Sequence, residues 1–353
     1  MRLTAIIASI ALASAMGAAS AQDSCSNRGQ LDTQYCDADN DLVADTPTDP
    51  AKWRDPSTLV FSYAPVENPA VYAVVYQPVI DRLASCTGKK VVYYTAQSSS
   101  AQIEAMRSGR LHVSSLSTGA VGFAVNLAGA VPFVAIGNDK EIAGYQLWAV
   151  VKADSPYKTL ADLKGKRVAH VAPSSNSGNL APRVFFPDLG LVPDKDYKPL
   201  MSGGHDKSML GVLSGDYDMA PVASDIIERM VARKDIDGAA FRIIWKSETF
   251  PTLGVAFAHD LKPELQTTIR KCFEEYRFPD TLKKEYPGFD RFVRITYKDT
   301  WKPIREVAEK SGTPYNKTAY EATQKKEAEA AAKKAADLAQ QPQAPAPAGQ
   351  PKP

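Results

Sequence analysis

Short apolar runs of strand length recur along the middle of this chain, and most are followed by a segment with helical spacing. That alternation limits the fold more than any composition figure does. Residues 58–64 read as a strand, and residues 69–85 as a helix with Val71, Val75, Val79 and Leu83 on one face and Pro78 as a kink or restart. Residues 90–95 form the next strand. Residues 100–108 form a short helix that carries Ile103 and Met106 inward and stops at Gly109. Residues 111–116, 131–136 and 146–151 read as buried strands. Thr159 with Asp162 opens a short helix, residues 167–171 are a strand, and a helix follows from Gly178. His205 precedes a helix ending at Gly215, residues 218–222 are a strand, and Ser224 caps a helix bearing Ile226, Ile227, Met230 and Val231. Strands return at residues 241–247 and 254–258. The fold class is α/β. Residues 144–151 and 249–255 read as the places where the chain leaves and rejoins a first lobe, so two βα lobes with a cleft between them are expected. Ligands in open α/β sheets lie at the carboxyl ends of strands.

The most informative local pattern is VAPSSNSGNLAP, residues 171–182, where an apolar strand runs into hydroxyl and amide side chains before turning helical. Ser175, Asn176 and Ser177 can donate there while the first N–H groups of the helix are unpaired and its dipole adds partial positive charge. Ser and Asn also serve as ordinary N-caps, so the pattern alone leaves both readings open.

Both ends of the chain read differently from the middle. Arg2 precedes an apolar run, and Ala19-Ser20-Ala21 has the small-x-small form of a cleavage site, so residues 1–21 read as a cleavable signal peptide and the periplasm as the destination. Residues 22–57 are a polar extension. Residues 58–148 make the first part of lobe 1, residues 149–250 lobe 2, and residues 251–318 the return to lobe 1. Residues 319–353 are a low-complexity tail, helix-compatible between Tyr320 and Leu338 and rich in Pro and Ala beyond. Four cysteines in an oxidising compartment allow three pairings. In one of them Cys25 with Cys36 staples the mature N-terminus and Cys86 with Cys272 joins two helices. A formal net charge of +2 offers no strongly basic face for nucleic acid or an anionic membrane.

Four stretches then carry a resemblance. ENPAVYAVVYQPVIDRLASCTGKKVVYYT, AQIEAMRSGRLHVSSL, TLADLKGKRVAHVAPSSNSGNLAP and SGGHDKSMLGVLSGDYDMAPV are similar, in order and spacing, to landmarks of the phosphate/phosphite/phosphonate substrate-binding proteins of ABC transporters, across residues 58–297. The resemblance implies the two-lobed type II periplasmic-binding-protein fold. It also implies a monomeric solute-binding component that closes on a small phosphorus oxyanion (phosphite, phosphate or a short-chain phosphonate) and presents it to an inner-membrane permease. It places the oxyanion on Ser175, Asn176, Ser177 and His205, the imidazole adding a donor or a full positive charge. Asp225 falls where aminophosphonate binders hold an ammonium group, but the second carboxylate position shows Thr252 or Leu253. A ligand without an ammonium group is therefore expected, with Ser99, Ser100 and Thr118 closing the near side and Asp225 accepting from a protonated ligand oxygen. Glu67 is a weaker substitute for the missing carboxylate.

Competing readings are a Ser177–His205 hydrolase of small esters or phosphoesters and an adhesion protein. Neither finds a supporting motif, since GxSxG, a Walker loop and HExxH are absent. No enzyme, cofactor or metal is expected. Asp37, Asp39, Asp41 and Asp45 resemble the start of a calcium loop, but Leu42 and Thr48 stand where glycine and glutamate are required, so a solvated acidic loop is the preferred reading.

Overall fold

The structure is a computed structural model that describes residues 25–340. The signal peptide assigned to residues 1–21 and the Pro- and Ala-rich residues 341–353 lie outside the described residues. The first half of the chain runs β1 (Thr58–Ser62), α1 (Pro69–Val75), α2 (Gln77–Thr87), β2 (Lys90–Tyr93), α3 (Ser99–Arg107), β3 (Val113–Leu116), α4 (Ala120–Ala128), β4 (Ala130–Gly137) and β5 (Gly144–Lys152). Next come β6 (Ala169–His170), α5 (Ala181–Phe185), β7 (Leu200–Met201), α6 (His205–Ser214), β8 (Ala220–Ala223), α7 (Ser224–Ala232) and β9 (Phe241–Pro251). The return consists of β10 (Gly254–Ala258), α8 (Pro263–Glu274), α9 (Asp280–Glu285), β11 (Arg291–Arg294), α10 (Tyr297–Thr300), α11 (Lys302–Lys310) and α12 (Lys317–Gln340).

Lobe 1 is built on a six-stranded mixed sheet in the order β11-β4-β10-β3-β1-β2, and lobe 2 on the antiparallel sheet β8-β5-β9 with the parallel pair β6-β7 beside it. β5 pairs only with β8 and β9, whereas β10 pairs with β3 and β4. The chain therefore leaves lobe 1 between β4 and β5, ahead of the expected boundary at residue 148, and rejoins it between β9 and β10.

Several elements differ from expectation for identifiable reasons. The helix over 69–85 is two helices meeting at Tyr76, with Pro78 in the first turn of the second. Its buried stripe is Tyr72, Tyr76, Val79, Ile80 and Leu83, while Val71 and Val75 are half-buried. Ser224 does not cap α7: the cap position is Ala223, and the Ser224 hydroxyl accepts the Gln146 N–H (3.0 Å), tying the helix start to β5. All nine residues of α4 are buried. A helix apolar all round has no 3.6-residue stripe to read, and none was expected there.

The polar segment before β1 packs on the body. Leu31, Tyr35, Val43 and Ala44 are buried in the lobe 1 core, and Asp32 N–H donates to the Asn126 carbonyl (2.7 Å). Its acidic loop is not simply solvated. Asp37 is buried and accepts from the Asp41 and Leu42 N–H groups (2.9 and 3.2 Å), and burial raises its pKa. At the other end, α12 begins on the body, with Tyr320 and Thr323 buried and the Tyr320 hydroxyl donating to the Ser100 carbonyl (3.2 Å).

Both expected disulfides are present, Cys25–Cys36 and Cys86–Cys272. The second joins α2 to α8 across 186 residues of sequence. Closing so long a loop removes much unfolded-state entropy, so a Cys86→Ala, Cys272→Ala double variant is expected to lose about 3–5 kcal/mol of stability in urea unfolding. An unchanged midpoint would show the crosslink to be stabilising nothing.

Candidate functional site

A cavity of about 60 Å³ lies between the lobes. Five helix starts reach its walls: α3 through Ser99, the approach to α4 through Ser117 and Thr118, the turn leading into α5 through Ser175 to Ser177, α6 through His205, and α7 through Ala223 and Asp225. Unpaired N–H groups and helix dipoles at such starts give a cavity a positive potential without a surplus of cationic side chains.

The serine loop presents buried polar groups to the cavity. It passes into α5 through a π-helical turn, Asn176–Leu180, where the Ser175 hydroxyl accepts the Gly178 N–H (3.1 Å) and keeps its own proton available. Ser177 is 1% exposed, and its hydroxyl lies near the Tyr145 hydroxyl without a well-formed hydrogen bond. The backbone N–H groups of Asn176 and Ser177 also lack an acceptor among the described residues. Buried donors in this condition are rare in folded proteins and call for a ligand or water. Asn176 does something other than expected. Its Nδ2 donates to the Tyr145 hydroxyl (3.0 Å), which orients that hydroxyl at the cavity wall.

His205 is 4% exposed, and its Nδ1 accepts the Ala223 N–H (3.1 Å). The proton must then sit on Nε2, which makes the ring a neutral donor. Burial pushes its pKa down to about 4, with Asp225 partly opposing. The expected alternative of an imidazolium is thereby corrected: a second proton would break the bond from Ala223. The backbone N–H of His205 crosses to the Val66 carbonyl of lobe 1 (3.1 Å).

Other expected contacts also change. The Thr118 hydroxyl faces the carbonyls of Pro251 and Thr252 (3.1 and 3.0 Å), so its proton is committed to the crossing segment and not to an anion. Ser99 lines the cavity and Ser100 does not. Adjacent helical residues point about 100° apart, so only one of the two can face inward. Asp225 lines the cavity, but its Oδ2 accepts from Arg229 Nη1 (3.1 Å). Glu67 is buried, accepts from the Tyr72 hydroxyl and pairs with Arg233, which leaves it no role as a ligand carboxylate.

Tyr63, Tyr145 and Arg229 are among the wall residues that were missed. Tyr63 directly follows β1, and the rule that ligands sit at carboxyl ends of strands was enough to find it. Tyr145 and Arg229 carry no local signal, since each reaches the cavity only through the packing of its lobe. Arg229 on α7 and Arg233 just after it also bind lobe 1, at Glu285 Oε1 (2.9 and 3.4 Å) and, for Arg233, at Glu67. The lobes are closed tightly enough that a Cβ on Gly119 would lie 2.1 Å from the Ser174 carbonyl oxygen and 2.9 Å from the Asn176 nitrogen.

Two α/β lobes meeting on a cavity lined mainly by hydroxyl, amide and backbone groups make the architecture of a periplasmic binding protein. A family model described as "ABC transporter, phosphonate, periplasmic substrate-binding protein" matches residues 61–300, and the chain belongs to that family. It is 28% identical over 257 residues to the phosphate-import protein PhnD of Mycolicibacterium smegmatis, covering 70% of this chain and 80% of that protein. It is 22% identical over 205 residues to the phosphonates-binding periplasmic protein of Escherichia coli, covering 57% of this chain and 61% of that one. Among solved structures, the binding component of a Pseudomonas aeruginosa ABC phosphonate transporter aligns with a TM-score of 0.66 at 20% identity, over 80% of this chain and all of that one. PhnD1 of Prochlorococcus marinus in complex with methylphosphonate aligns at 0.65 and 18% identity, over 73% and 99%. Among the described residues no helix is long and apolar enough to cross a membrane.

Proposed function

We propose that the cavity binds phosphite, phosphate or methylphosphonate, and that the closed protein, a periplasmic monomer exported by its signal peptide, delivers this anion to an inner-membrane ABC permease. The observation that carries the reading is the buried Ser177 hydroxyl, without a well-formed hydrogen bond, in the same cavity wall as a neutral His205 donor. A volume of about 60 Å³ suits the size of such a guest, being room for roughly four to six waters. The names of the Mycolicibacterium smegmatis and Prochlorococcus marinus relatives fit the same ligand class.

A Ser177–His205 hydrolase is disfavoured by tautomer chemistry. A general base needs a free lone pair toward the nucleophile and a carboxylate or carbonyl behind it. Here Nδ1 accepts an N–H, so Nε2 carries hydrogen and has no lone pair to offer.

Calorimetry of the mature protein against phosphate, phosphite, methylphosphonate and sulfate tests the proposal. Ser177→Ala and His205→Ala are each expected to weaken binding of the preferred anion about 10- to 100-fold, the value of one hydrogen bond to a charged group, with unchanged circular dichroism. Wild-type affinity in both variants would move the binding site elsewhere.

A further inference from the structure

The cavity wall contains a cation that the anion-binding reading does not require. Asp225 is the one carboxylate among the wall residues, and Arg229 the one permanent cation. The Arg229 side chain is 7% exposed. Its Nη1 is 3.1 Å from Asp225, its Nε 2.9 Å from Glu285 of lobe 1, and its guanidinium carbon 5.5 Å from the centre of the Tyr286 ring. Its Nη2 is buried without an acceptor, and the Nε approach to Glu285 is an ion pair without hydrogen-bond geometry. Without Arg229, a carboxylate and a set of buried tyrosines at the wall would suit a cationic substituent on the guest. With it, the carboxylate is already neutralised and an unused donor remains.

We propose that Arg229 fixes the ligand class of this site, admitting oxyanions whose substituent is uncharged and rejecting those that carry an ammonium group. The inference rests on the anion-binding reading above and adds the residue that sets its selectivity. A ligand ammonium entering the cavity would compete with a guanidinium already held by Asp225 and Glu285, and like charges brought together in a buried site cost on the order of a hundredfold or more in affinity. Rejection of this kind is discrimination by repulsion, which shape alone does not supply. Burial by itself would lower the pKa of Arg229, but Asp225 and the surrounding tyrosines raise it well above the ordinary arginine value, so the charge is permanent.

The test compares two phosphonates of equal size, ethylphosphonate and aminomethylphosphonate, by calorimetry on the mature full chain, with methylphosphonate as the reference guest. Wild type is expected to prefer ethylphosphonate by about a hundredfold. Arg229→Lys, which keeps the charge, is expected to hold that preference, and Arg229→Met to reduce it at least about tenfold. Equal binding or equal rejection of the two by wild type would overturn the assignment, because size and not charge would then set the limit. An unchanged preference in a folded Arg229→Met protein would overturn it as well. If circular dichroism shows Arg229→Met unfolded, the wild-type and Arg229→Lys preferences decide. Failure of wild type to bind methylphosphonate, phosphite or phosphate would instead remove the functional reading itself, and this inference with it.

Discussion

Gly119→Ala is expected to weaken anion binding by at least about a hundredfold while leaving both lobes folded. Gly119 has a φ of −77°, which alanine adopts freely, and alanine at the start of α4 costs the helix nothing. The obstacle lies across the cleft. Its methyl group would sit 2.1 Å from the Ser174 carbonyl oxygen and 2.9 Å from the Asn176 nitrogen, and both are backbone atoms with no rotamer to change. α4 and the serine loop would have to separate, pulling the donors of Asn176 and Ser177 off a guest that lobe 1 also touches. Ligand affinity in a closing protein scales with the population of the competent state, so a contact that disfavours closure is read directly in Kd. Calorimetry with the preferred anion, alongside small-angle scattering with and without it, measures both effects. An alanine variant with wild-type affinity would mean that the two segments need not meet for binding.

Acid is expected to unfold this protein steeply between pH 6.5 and pH 4. All four histidines of the chain are held neutral: burial pushes His112, His170 and His205 down to about 4 and lowers His259 as well. A histidine depressed in the folded state leaves the unfolded chain binding more protons below its ordinary pKa. Stability present near neutrality is then lost as the pH falls from 6.5 toward the folded value. For the fully buried His170 and His205 the loss approaches about 3 kcal/mol each, against a total stability of about 5–15 kcal/mol for an ordinary domain. His112 and His259 act in the same direction. Glu228 and Glu285, raised by burial, act oppositely and offset part of it. Urea unfolding at pH 7, 6, 5 and 4 should therefore show the midpoint falling at each step. A flat profile down to pH 4.5 would mean that the native histidines accept protons at no cost.

The α/β alternation, the serine loop and the helix start at His205 were all legible because each is written in consecutive residues. Apolar runs, a hydroxyl-rich turn and a Gly-Gly-His opening declare themselves locally. α4 was illegible for the opposite reason, since a helix buried on every face shows no contrast between one side and another. Of the two serines expected at the near side only Ser99 lines the cavity, and Thr118 lines it as expected but with its hydroxyl turned to carbonyls 133 and 134 residues away in sequence. Arg229 lies one turn after Asp225, a spacing that suggests an exposed ion pair on a helix surface. Only the arrival of Glu285 and Tyr286 from the other lobe makes it a wall of the cavity. What sequence order hides, in each case, is a partner that tertiary packing supplies.

The two crosslinks described above share a location that matters for how the molecule works. Cys25–Cys36 sits in the segment packed on lobe 1, and Cys86–Cys272 joins two helices of that same lobe, so no disulfide spans the gap. A reductant would loosen the stitching of one half of the protein. If the lobes part to release the anion proposed above, that motion is independent of both crosslinks, because only two stretches of backbone join them.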